Sequence, residues 1–433
     1  MEKLELVAPG GSLEKIEYAY HFGADAIYVG HPNFSLRARI NEFDEKKLEK
    51  AVKLARILKK KIYFTLNIYA HERHLPKIEK HLKFIKKVKP DAVIVSDPGI
   101  LNLIREIRGI RIHLSTQANT TNSEAVKFWE AQGISRIILA REVTLGEIRK
   151  IRKKCPKVGL EYFVHGAMCM SLSGRCLLSS WLRNRSANLG DCAQPCRWPY
   201  RGNWSNQGDL GSQGKIFEVQ EDEHGAYLFN SKDLCLIEHL DELAKAGVDS
   251  FKIEGRTKSV CYVACAAKAY RQVLDAIKSG KNKAEIEKIS VASKKELDKL
   301  TNRGYSTGFL FGKDKWENNV ECSHKKNQWQ FVGEIIGEAE KSSRVHPVKS
   351  PTQGRGAALP QFHRVKVHNA LEEKEKVEII TPREVFSDKV GEIRKIGKKG
   401  EDRVISAHGG SQNIYLINFS RVYPEKSLLR KKT

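Results

Sequence analysis

Eight short apolar runs, rich in β-branched residues, constrain the fold more than any other feature of this chain. They begin at Leu4 (LELVAP), Ala26 (AIYVG), Ile62 (IYFTLN), Ala92 (AVIVSD), Ile112 (IHLSTQ), Arg136 (RIILA), Leu160 (LEYFVHG) and Ser250 (SFKIEG). Near-continuous apolar runs belong to strands covered on both faces, as in a parallel sheet. Helical stretches between most of them point the same way. Gly23, Gly133 and Gly247 each stand between a helical stretch and the next run, where a left-handed residue ends a helix. Eight such units over about 320 residues predict an α/β fold, a TIM-like (β/α)8 barrel. An open doubly wound sheet is the alternative, but no G-x-G-x-x-G follows the first run; APGGS is only a tight glycine turn.

The spacing breaks once. Between His165 and Ser250 a barrel needs one loop and one helix, yet about eighty residues intervene. An insertion over about 166–232 accounts for them, and it emerges after the seventh strand, at the barrel face that carries active sites. The pattern changes again near residue 325. Segments such as WQFVGEIIGEAE, HRVKVHNAL and NIYLINFSRVYP are short, alternating and separated by turns. They predict a catalytic barrel over 1–322 and a small all-β barrel over 323–433.

The insertion carries the chemistry. Cys169, Cys176, Cys192 and Cys196 follow the spacing C-x6-C-x15-C-x3-C, among Arg175, Arg183, Arg185, Arg197 and Arg201. The start MEKLELVAPGG is unlike a signal peptide, which places the protein in the cytoplasm, where the nine cysteines are not expected as disulfides. Four thiolates in a reducing compartment are soft ligands for zinc or iron–sulfur. No C-x2-C knuckle of a structural zinc site is present, so a [4Fe–4S] cluster is preferred over zinc or unligated thiols, all three remaining open. Cys235, read as lying on an apolar helix face, is an alternative fourth ligand. Cys155, Cys261, Cys265 and Cys322 are read as structural.

Charge narrows the partner. With 76 Lys and Arg against 52 Asp and Glu the chain is formally +24, a footprint that favours nucleic acid or another polyanion over a neutral substrate. The bland alternative is a solvated lysine-rich surface, as in HLKFIKKVKP. From Glu321 onward, 22 basic residues face 14 acidic ones, so the β-domain is a candidate RNA platform. No apolar run is long enough to span a bilayer.

The motifs HGAMCMSLSGRCLLSS, DCAQPCRWPY, FNSKDL and FKIEGRTKS, with LVAPGG, GADAIYVG and LSTQANTTN, resemble peptidase family U32, the collagenase-like proteases. The resemblance covers essentially the whole barrel. It implies that Cys169, Cys176, Cys192 and Cys196 bind an oxygen-sensitive [4Fe–4S] cluster. Several members of that family are oxygen-independent hydroxylases. The length and the extra β-domain are similar to a branch that converts the tRNA wobble uridine to 5-hydroxyuridine, with prephenate as the implied hydroxyl source. A hydroxylase of ribosomal RNA is a neighbouring alternative.

That reading predicts which residues face the pocket from the C-terminal ends of the strands: Asn67, Asp97, Ser115, Gln117, Arg141, Glu142, Glu161, His165, Lys252, Glu254 and Arg256. Prephenate has two carboxylates, so Arg256 and Arg141 are expected to bind it, with Lys252 as a point charge and Arg37, Arg39, Gln117 and Asn67 within reach. His165, Glu254 and Glu161 are the candidate proton-transfer groups. A peptidase would need an activated nucleophile or water. No H-E-x-x-H is present, and thiols bound to a cluster are poor nucleophiles, so peptidase is the second reading. The third is a non-enzymatic RNA-binding factor with the cluster as a staple.

Overall fold

The apolar runs become strands because helices and barrel interior bury both of their faces. The computed structural model describes residues 4–36, 43–169, 171–198, 229–312, 317–319, 322–325, 327–338, 362–397, 400–410 and 413–433. Strands β1 (Glu5–Pro9), β2 (Ala26–Gly30), β3 (Lys61–Leu66), β4 (Ala92–Val95), β5 (Arg111–Leu114), β6 (Arg136–Ile138) and β7 (Gly159–Gly166) pair in parallel, each with the next. Two short strands beyond them complete different jobs: β8 (Asp233–Cys235) lies in the insertion, and β9 (Ser250–Ile253) closes the barrel. Ser250 of β9 pairs with both Glu5 of β1 and Glu161 of β7, so eight parallel strands form a closed ring as expected.

Helices α1 (Leu13–His21), α2 (Glu45–Ile57), α3 (Leu75–Val88), α4 (Pro98–Ile104), α5 (Ser123–Ala131) and α6 (Leu145–Lys154) each return the chain to the next strand. Their starts are written locally. Ser12 accepts from the Lys15 amide, and Thr144 and Glu147 form a reciprocal capping box. Gly23, Gly133 and Gly247 take the left-handed φ values their positions predicted (107°, 83° and 95°). After a short helix in the insertion, α7 (Leu178–Arg183), the chain runs through β8 and α8 (Leu240–Lys245) to β9. Helices α9 (Val260–Lys278) and α10 (Lys283–Asp298) then pack together, and β10 (Tyr305–Ser306) lies parallel to β8.

Strand β8 was not legible as a strand. It pairs antiparallel with the end of β7, His165 opposite Cys235, so Cys235 stands on a strand and not on the helix face expected for it. Cys261 and Cys265 are buried on α9, and Cys155 is buried at the end of α6.

Contacts divide the chain into two compact units, 1–326 and 327–433. The second is all-β. Its central strand, Trp329–Glu338, pairs antiparallel with both Phe362–Val367 and Leu428–Lys432 in an eight-stranded sheet. The sheet curls as a half-barrel over a core that includes Val332, Ile335, Val365, Ile379, Ile417 and Leu429. No described helix is long and apolar enough to cross a membrane.

Candidate active site

The barrel interior is charged at its base. Glu5 of β1 is 6% exposed; its carboxylate accepts from Lys61 Nζ (2.7 Å), Tyr63 OH (2.9 Å), Ser250 Oγ (2.8 Å) and Arg136 Nη1 (2.5 Å). Arg136 also reaches Glu161 (3.1 Å), and Glu161 accepts from Lys252 Nζ at 2.6 Å. Burial alone would raise the Glu5 carboxyl, but Arg136 and Lys61 hold it well below the usual range. Burial lowers the Lys252 ammonium against the opposing pull of Glu161. Burial and Arg136 keep the ring of nearby His113 neutral.

Above this network a cavity opens at the C-terminal ends of the strands. Asn67, Ser115, Gln117, Arg141, Lys252, Glu254 and Arg256 line it, together with Cys169, Cys176, Cys192 and Cys196. The sequence expectation thus converges on one chamber for most of its residues. Among the described residues its charged lining comprises Arg141, Arg197, Lys252, Arg256 and one carboxylate, Glu254.

Each side chain is held by its own element. Arg256 donates to Ser35 Oγ at 2.6 Å and to the Leu36 carbonyl, and packs over the Tyr28 ring. A Cβ on Gly11 would lie 2.0 Å from the Arg256 carbonyl oxygen, so only glycine lets the turn between β1 and α1 pass there. Gly166 plays the same part for Glu254: at φ 108° it lets the Glu254 backbone approach, and a Cβ would stand 2.5 Å from its carbonyl. Lys252 Nζ sits 4.3 Å from the Tyr28 ring centroid. Arg141 lies over Phe163 at 3.9 Å, and among the described residues no carboxylate pairs with it. Asn67 bridges loops, donating to Ser115 Oγ (3.3 Å) and accepting from the Leu36 amide (3.3 Å).

Three expected pocket residues are structural instead. Asp97 caps α4 through the Ile100 amide (3.1 Å). Glu142 anchors the insertion, accepting from the Ser173 amide at 2.6 Å, with the Ser173 hydroxyl 2.9 Å away. Glu161 lies below the cavity in the ionic network, fully buried. Arg37 and Arg39 lie outside the described residues.

His165 is the main correction to the expected geometry. Glu161 and Phe163 face inward, and simple alternation would bring His165 with them. A register shift between Phe163 and His165 inserts one residue and turns His165 through the wall. Its ring packs among Tyr262, Tyr270 and Tyr305, with Nδ1 3.4 Å from the Tyr270 hydroxyl and Nε2 without a partner. Burial pulls its pKa down to about 4. An unfolded histidine takes a proton near 6.5, so stability should fall as pH drops from there towards 4, by about 3 kcal/mol in all. His165→Phe should flatten that loss; parallel melts of wild type and variant between pH 7.5 and 5 check it, and equal slopes would refute it.

The four clustered thiols share the cavity wall, whereas Cys235 does not; its Sγ lies 3.7 Å from the Tyr270 hydroxyl in the same pocket as His165. Burial, together with the Cys169 and Cys192 thiols, pushes the Cys196 thiol up to about 11. No three His, Cys, Asp or Glu side chains among the described residues form a ready single-ion site. One zinc draws its sulfurs to within about 4 Å of one another, given Zn–S near 2.3 Å. A cubane gives each cysteine its own iron, and four thiols lining one chamber supply the ligand set such a group needs. Arg303 buttresses both ends of the insertion, pairing with Asp233 of β8 (2.7 Å) and donating to the Met168 carbonyl (3.4 Å) beside Cys169. Although burial raises the Asp233 carboxyl, Arg303 holds it below its ordinary range.

Sequence reasoning passed over Tyr28, Phe163 and Arg303. The first two were available from strand alternation, as inward positions of AIYVG and LEYFVHG. Arg303 gave no local signal, because its partners are 70 and 135 residues away.

Comparison with known proteins places this geometry. The family described as Peptidase family U32 matches residues 11–319. The tRNA hydroxylation protein P of Escherichia coli is 39% identical over 387 residues, covering 81% of this chain and 84% of that protein. Its namesake from Haemophilus influenzae is 40% identical over 375 residues, 77% of this chain and 80% of that protein. A protein named collagenase from Porphyromonas gingivalis is 33% identical over 319 residues, 71% and 73% of the two chains.

Proposed function

The chain belongs to peptidase family U32, and on that footing we propose that it is an oxygen-independent tRNA hydroxylase. It converts the wobble uridine to 5-hydroxyuridine with prephenate as hydroxyl source, and Cys169, Cys176, Cys192 and Cys196 hold a [4Fe–4S] cluster. The observation that carries the reading is a single chamber that joins those four thiols to a cationic wall. When bound, the cluster supplies iron for redox or Lewis-acid chemistry at the cavity. The chain's own residues do the rest. Arg141, without a carboxylate partner among the described residues, and Arg256, fixed by Ser35, take the two carboxylates of the co-substrate. Lys252 adds a positive charge from below. Glu254, the one carboxylate of the lining among the described residues, is the proton-transfer group. The +24 charge, shared by the C-terminal β-unit, draws the RNA. The names borne by the Escherichia coli and Haemophilus influenzae relatives support the tRNA substrate.

A peptidase gains no support from the chamber: no histidine lines it among the described residues, and His165, four residues from Cys169, faces away. Nucleoside mass spectrometry of tRNA from a strain lacking this gene, with any redundant enzyme also removed, tests the reading. Loss of 5-hydroxyuridine and its derivatives, restored by the intact gene, is expected. Unchanged nucleosides would overturn it.

A further inference from the structure

The insertion presents an aromatic side chain to solvent from the short helix whose Leu178 lines the cavity, and its surroundings identify what should cover it. Trp181 on α7 is 80% exposed, the most exposed of the large apolar side chains among the described residues. Leu177 is 74% exposed and stands four residues earlier, on the same face of the turn. The far face is committed: Ser179 is buried and accepts from the Ala193 amide at 2.9 Å. Leu178, one turn before Trp181, lines the cavity beside Cys176. The exposed pair of Trp181 and Leu177 thus forms a small apolar surface on an otherwise anchored helix.

The charge around it selects that partner. Over residues 171–198 the charged side chains are Arg175, Arg183, Arg185 and Arg197 against Asp191 alone. Asp191 pairs with Arg185 at 2.9 Å, and four arginines against one aspartate give these residues a net charge of +3. Arg175 and Arg183 are exposed. An exposed flat ring on a segment of net positive charge fits a nucleobase between phosphates, since every base has a face to stack and phosphates supply the counter-charge. A base modified in a barrel cavity must leave its stack, and its unpaired neighbours then need a new surface.

We propose that Trp181 is a stacking platform for an unpaired nucleotide flanking the one delivered into the cavity. The proposal rests on the RNA-substrate reading above and adds the place where the RNA loop is gripped. Trp181 is a binding residue here, remote from the reacting atoms.

The test compares wild type, Trp181→Ala and Trp181→Phe as full-length, anaerobically purified protein, binding an anticodon stem–loop RNA and a fully paired RNA of equal length. Trp181→Ala should weaken stem–loop binding about tenfold or more, as expected for one stacked base. Trp181→Phe should stay within about threefold of wild type, because a smaller ring still stacks. The salt dependence of binding should be unchanged, since no phosphate contact is removed. Melting temperature and iron content should match wild type, which separates this role from a folding defect. Equal stem–loop affinity of Trp181→Ala and wild type overturns the platform. So does an equal loss on the fully paired RNA, or Trp181-dependent binding to phosphatidylserine vesicles without RNA discrimination. Wild type that binds neither RNA overturns the RNA reading itself, and the platform with it.

Discussion

Cys192→Ser is expected to leave anaerobically purified protein colourless and inactive, and Cys169→Ser, Cys176→Ser and Cys196→Ser should do the same. Wild type should carry about four iron and four sulfide per chain, as a [4Fe–4S] centre requires. Serine offers a hard oxygen in place of a soft thiolate, so each substitution should remove one of the four proposed ligands rather than weaken it. Activity should fall by more than about a hundredfold, beyond what the loss of a mere supporting group does at metal sites. Cys235→Ser supplies the contrast. Its thiol faces the Tyr270 hydroxyl behind the barrel wall, so iron, colour and activity should survive. Iron retained in Cys196→Ser and lost in Cys235→Ser would reverse the ligand assignment. Zinc in place of iron in wild-type protein would remove the cluster altogether.

That contrast marks how far the sequence could be read. All eight barrel strands were legible because two-sided burial leaves continuous apolar runs, from Leu6–Val7–Ala8 to Phe251. Placement of the four cysteines in one insertion was legible from the excess length after β7. His165 and Cys235 were not, and for one reason. A bulge between Phe163 and His165 inverts the facing of every residue beyond it, and the two-residue pairing with β8 depends on a partner 70 residues away. Neither event leaves a mark on local periodicity. Glu161 failed differently. It was rightly placed on an inward position, but depth along the strand, not facing, decides whether a carboxylate meets the cavity or the ionic base.

That ionic base sets the second large effect. Two buried carboxylates, Glu5 and Glu161, are shared among Arg136, Lys252 and Lys61, so the network holds one more cation than anion. Lys61 is 42% exposed and solvent compensates much of its charge; Lys252 and Arg136 have little such help, at 4% and 13%. Glu161→Gln should therefore be severe. It leaves Lys252 without its carboxylate and Arg136 with Glu5 alone, and breaking a buried pair from one side costs about 3–5 kcal/mol. Lys252→Met should be milder, because it removes the surplus charge and leaves two carboxylates matched by two cations. The double variant should be more stable than Glu161→Gln alone, since no unpaired ammonium remains. Urea unfolding followed by a barrel-specific probe orders the three, and Lys252→Met proving the costlier single change would refute the charge count. The same asymmetry has a functional face. Lys252→Met keeps the barrel folded while removing a cation from the cavity, so it should raise the KM for the dianionic co-substrate, a loss that stability alone would not produce. The barrel thus uses one lysine for two purposes, completing a buried network from above and charging the floor of the chamber from below.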